Sequence, residues 1–172
     1  MDVKSQLLKE QSKENRDLMT EYLLKHPEQM PELMEQFFSD QERLVQRSAW
    51  VVGTLGQRNK DLIAPYFGQM VSAVRKPKAH VALRRNVMRV LQFHDVDESL
   101  WGELYDVCIR FLEDKEEPVA VKVFAMSTAF RIVKHIPELK GELSAAIENI
   151  LPEGTAGEKN RGQKILSALA KL

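Results

Sequence analysis

Six basic side chains, Arg75, Lys76, Lys78, Arg84, Arg85 and Arg89, together with His80, fall within fifteen consecutive residues that contain no acid. Guanidinium and ammonium groups gathered without counter-charges attract phosphates or the carboxylates of an acidic peptide. Arg85 also belongs to a longer series. Arg47, Arg85 and Arg161 recur at a spacing of 38, and Lys122 stands beside the gap at Val123. In a stack of like modules, equivalent positions form a row along one face. The candidate partner-binding residues are therefore Arg47, Arg84, Arg85, Arg89, Lys122 and Arg161. The competing reading gives the same cations structural work, holding helix C-terminal carbonyls and the acids of neighbouring modules. Acids cluster elsewhere, at Glu28, Glu32 and Glu35 and again at Glu113, Asp114, Glu116 and Glu117. Separate basic and acidic patches suit a protein partner better than generic nucleic-acid binding.

Other chemistry finds little support. His26, His80, His94 and His135 never stand three or four apart, so no tight zinc motif exists. His94 with Asp95, Asp97 and Glu98 reads as a helix start, with carboxylates at the positive end of the dipole. The single cysteine, Cys108, supports no disulfide, and it sits on an apolar stripe as a small buried hydrophobe. No Gly-x-Ser-x-Gly elbow and no phosphate-binding Gly-Lys-Ser/Thr run occurs. Trp50 and Trp101 fall within the periodic segments and read as core or groove-edge residues. No catalytic residue, cofactor or metal is expected.

Lys plus Arg and Asp plus Glu both number 25, so the formal charge is zero. A neutral balance supplies no global field for wrapping nucleic acid. The hydrophobic share of 44% is enough for a core, and the charged share of 29% is an ordinary solvated surface. The opening Met1 to Ser5 lacks a secretory apolar stretch. The most apolar run, Val119 to Val133, is interrupted by Lys122 and Arg131. A soluble cytoplasmic protein with no membrane span is expected; the composition leaves the oligomeric state open.

The elements that must position these residues read as all helical. Helical spacing predicts helices near 3–26, 31–39, 41–57, 60–75, 79–93, 98–113, 118–135, 138–151 and 158–171. Ser39-Asp40-Gln41-Glu42 has the capping-box pattern, and Asp95 to Glu98 precedes another start. Pro65 falls inside a candidate and must kink it or delay its regular start. The 38-residue period extends to apolar positions. Leu62, Leu100 and Leu139 correspond, as do Tyr66, Leu104 and Leu143, and Met70, Cys108 and Ile147. A helix pair of this size cannot bury its apolar face alone, whereas stacked pairs share one continuous core. Leu104→Asp and Phe124→Asp are both expected to prevent folding.

These features resemble the HEAT and armadillo families of helical repeats. Their first helix usually carries Val-Arg followed by paired small residues. Here Leu83-Arg84 precedes Val87-Met88, and Val121-Lys122 precedes Ala125-Met126. The resemblance implies a right-handed α-solenoid (an α-α superhelix) of stacked antiparallel helix pairs. It would form one domain over 1–172, with an irregular N-terminal unit at 1–40, repeats at 41–78, 79–117 and 118–157, and a capping helix at 158–172. It also implies a non-enzymatic module that binds a protein or another macromolecule. The alternative is nucleic-acid binding of the kind shown by HEAT-like DNA glycosylases. An adenylosuccinate lyase activity is not supported, since Met30-Pro31 is the only Met-Pro pair and the rest of that family's Ser-rich loop is missing.

Overall fold

The computed structural model describes residues 1–172 and contains ten α-helices and no strand. They are α1 (Val3–Lys9), α2 (Lys13–Lys25), α3 (Met30–Phe37), α4 (Glu42–Arg58), α5 (Phe67–Arg75), α6 (Val81–Leu91), α7 (Trp101–Glu113), α8 (Val119–Val133), α9 (Lys140–Ile150) and α10 (Ala156–Leu169). By their contacts they form two compact units, Met1–Val90 and Leu91–Leu172.

Each unit is organised around one helix. In the first, α4 packs against α1, α2 and α3. It buries Leu44, Val45, Ser48, Ala49, Val51, Val52, Leu55 and Gly56, a broad stripe at helical spacing. In the second, α8 packs against α7, α9 and α10, and α7 also lies on α9. The side chains of α8 are buried on nearly every side, from Val121 to Val133. A helix enclosed by several neighbours must be apolar nearly all round. Each fully buried Leu, Ile or Met contributes roughly 1.5–3 kcal/mol, so Leu44, Leu55 and Met126, all at 0% exposure, anchor these centres.

A common device opens the second helix of each pair. A single 3-10 turn precedes it at Pro27–Gln29, Lys60–Leu62, Glu98–Leu100 and Pro137–Leu139. Leu62, Leu100 and Leu139 each occupy the last position of such a turn, so the three aligned leucines share one setting. Pro27 and Pro137 suit a first turn, where the missing N–H costs nothing. Asn59 and Asp97 cap their turns by accepting from Asp61 N and Ser99 N. The aligned Met70, Cys108 and Ile147 are all completely buried.

The structure departs from the expected elements at four places. The candidate helix at 3–26 is two helices. Its polar middle, residues 9–17, offers no apolar face, and local hydrogen bonds break it. Ser12 Oγ accepts from Asn15 N, while Asn15 Nδ2 donates to the carbonyls of Gln6 and Glu10. The capping box at Ser39–Glu42 does not form. Gln41 is the N-cap of α4 without a side-chain bond, and Ser39 Oγ accepts from Gln41 N instead. Pro65 delays α5 by a second 3-10 turn, Ala64–Tyr66, which leaves Tyr66 exposed and turns Ile63 and Phe67 inward. Finally, Phe124 is only half-buried.

Candidate partner-binding site

Four of the six sequence-selected cations lie in the first unit. Arg47, on α4, donates from Nη1 to the Leu7 carbonyl at 2.7 Å, and so holds the last turn of α1. Its Nε is buried without a hydrogen-bond partner. Arg84, early in α6, donates to the Ala79 carbonyl just before the helix. His80 accepts from Ala82 N through Nδ1 and caps the same helix start. Arg89 is exposed on α6. Arg85 is half-buried and, like the exposed Lys76 and Lys78, enters no hydrogen bond or ion pair.

The other two lie in the second unit. Arg161, on α10, donates to Ser127 Oγ on α8 and ties the two helices together. Lys122 is 7% exposed, and its Nζ reaches the Lys115 carbonyl at 3.4 Å. Arg131, which sequence reasoning passed over, makes the most complete contact of any arginine in this unit. Its Nε donates to the Gln92 carbonyl at 2.8 Å, and its Nη1 pairs with Asp95 at 2.7 Å. The nearest signal was the acid-rich run at 95–98, but only folding brings α8 beside it.

The division into units also divides the charge. Met1–Val90 carries fifteen Lys and Arg against eleven Asp and Glu, a net of +4. Leu91–Leu172 carries ten against fourteen, a net of −4. The neutral total therefore hides two opposite fields. In the second unit, folding also joins acids that are distant in sequence. Glu113 and Glu117 line one pocket with Glu153 and Glu158.

Cys108 is completely buried, and burial pushes its thiol far above the ordinary range, so the nucleophilic thiolate is suppressed. Tyr105 is shifted the same way, mainly by burial, with Glu142 adding to it; its hydroxyl donates to the Leu139 carbonyl at 3.3 Å. His135 stacks on Trp101 with ring centres 4.7 Å apart, which places Trp101 in a structural contact at the start of α7. No group of three His, Cys, Asp or Glu side chains is arranged to hold a metal ion. No helix is long and apolar enough to cross a membrane.

No curated protein and no solved structure matches the chain. The HEAT repeat domain family matches residues 3–169, a span that takes in both units and every helix up to the last. The repeated 3-10 entry, the helices packed in neighbouring pairs and that match lead to one conclusion: the chain belongs to the HEAT repeat domain family.

Proposed function

We propose that this HEAT repeat chain is a non-enzymatic scaffold that holds a protein partner by an acidic segment, laid along the basic strip from Arg75 to Arg89. The observation that carries the reading is a concentration of unanswered positive charge. Lys76, Lys78 and Arg85 enter no hydrogen bond or ion pair within the chain, and no acid stands between positions 75 and 89. Arg84 and Arg89 add to the same field. The +4 charge of the first unit draws an acidic segment toward the strip from a distance, and short contacts then fix it. Arg47 and Arg161 serve the scaffold in this reading. Each already holds an oxygen of its own unit, and a guanidinium so engaged has fewer donors left for a partner.

The test is fluorescence anisotropy of a labelled oligoglutamate peptide with the full chain, at low and high salt. Wild type binds and weakens as salt rises, since exposed pairs are screened over about 10 Å at 0.1 M. The triple variant Lys76→Glu/Lys78→Glu/Arg85→Glu keeps its helical circular dichroism and loses binding. Equal binding by that variant would remove the strip from the mechanism. Tighter binding of duplex DNA than of the peptide, with a steep salt slope, would move the assignment to nucleic acid.

A further inference from the structure

We propose that the second unit carries a docking pocket of its own, which takes a lysine or arginine side chain from an extended basic segment of a partner protein. This goes beyond the reading above and does not rest on it, because the pocket lies in the other unit and has the opposite charge.

The pocket has a volume of about 630 Å³, within the range of roughly 300–1,000 Å³ that ligand sites occupy. It opens where α7 ends, α8 begins and the turn from α9 leads into α10. Its wall combines two chemistries. Leu112, Val119, Ala146 and Ile150 give an apolar surface, while Glu113, Glu117, Glu153 and Glu158 contribute carboxylates. These four acids differ in their engagement. Glu158 is 5% exposed and closes a capping box, accepting from Thr155 N and Thr155 Oγ, both at 2.8 Å. Glu117 is buried and engaged within the chain. Glu113 and Glu153 are exposed and enter no hydrogen bond or ion pair. Glu113 is the last residue of α7 and Asp114 is its C-cap, the end of a helix where the dipole disfavours negative charge. Carboxylates placed there, without a cation of the chain beside them, await one from outside.

An independent feature points to the same kind of ligand. Lys122 lines the pocket and is more than nine-tenths buried. Its ammonium has three N–H donors, but it makes a single hydrogen bond, at 3.4 Å to the Lys115 carbonyl. That is beyond the ordinary range of about 2.7–3.2 Å. A buried ammonium so poorly answered calls for an oxygen acceptor from a ligand. An extended polypeptide supplies both halves. Its backbone carbonyl answers Lys122. Its lysine or arginine lays an aliphatic stem on the apolar wall and puts its charge against Glu113 and Glu153. The −4 charge of the unit favours a basic segment and repels nucleic acid.

The test uses the full chain and a fluorescein-labelled oligolysine peptide, read by anisotropy. Glu113→Gln/Glu153→Gln weakens binding by about tenfold, whereas Glu14→Gln/Glu35→Gln, an equal charge change in the first unit, leaves it unchanged. A peptide of 2,3-diaminopropionic acid, with the same charge on a shorter stem, binds about tenfold more weakly, because less methylene surface reaches the wall. Equal loss in both double variants would reduce the effect to net charge and overturn the pocket. Equal affinity for the two peptides would do the same. Sedimentation velocity at low salt gives a further check. Self-association that survives excess oligolysine but is lost in Glu113→Gln/Glu153→Gln would make the occupant a second copy of this chain and overturn the partner assignment.

Discussion

Arg47→Met separates the structural use of the arginine series from its use in binding. Arg47 Nη1 donates to the Leu7 carbonyl at 2.7 Å, and a hydrogen bond from a charged donor contributes about 1.5–3 kcal/mol. Against this stands the buried Nε without a partner; releasing such a group recovers about 1–3 kcal/mol of desolvation. Methionine keeps most of the apolar stem in place. The net loss is then about 1 kcal/mol, and it falls on α1, which has only seven residues and cannot hold itself as an isolated helix. Native-state amide exchange should show the protection of α1 reduced roughly fivefold, since 1.4 kcal/mol is tenfold, while α8 amides keep theirs. Oligoglutamate affinity should not change. Unaltered exchange in α1, or a loss of peptide binding with α1 intact, would refute the assignment of Arg47 to the scaffold.

Further outcomes follow from burial and capping. Leu104 is 1% exposed on α7, so Leu104→Asp places an uncompensated charge in the core and costs more than about 4 kcal/mol; loss of helical circular dichroism checks it. Phe124→Asp is expected to be milder than the sequence implied, because Phe124 is half-buried, and the variant should fold with a lowered melting temperature. Thr155→Ala removes the capping box of α10, a loss of about 0.5–2 kcal/mol, seen as a melting shift of roughly 2–4 °C per kcal/mol. Cys108 should resist a thiol-reactive disulfide reagent at pH 8 and react only on unfolding, because burial raises its pKa and blocks access. Rapid labelling of the folded chain would show that α7 opens locally.

Helical spacing carries most of the fold. The leucines at 62, 100 and 139 are legible as equivalents because each ends the 3-10 turn before a second helix, and Met70, Cys108 and Ile147 because each faces the same interior. Two local competitions were less legible. The chain between Lys9 and Asp17 is rich in good helix formers, yet Ser12 and Asn15 bond to nearby backbone and stop the helix. Ser39–Glu42 and Thr155–Glu158 carry the same capping-box pattern, but only the second closes. The signal at Thr155 was present in the sequence and was overlooked; nothing local distinguishes it from the pattern that fails.

What the sequence determined alone is the period, the all-helical class, the inward stripe and the acid-free basic strip, because each of these depends on the order of residue types along a single helix. The tertiary structure decided how each cation is used. Arg47 and Leu7 are forty residues apart, and Arg161 and Ser127 thirty-four, so no local pattern announces either bond. It also assembled Glu113 and Glu153 into one pocket with the buried Lys122. Whether a charged side chain is satisfied depends on which carbonyls and carboxylates other helices bring within about 3 Å, and that distance exists only after packing.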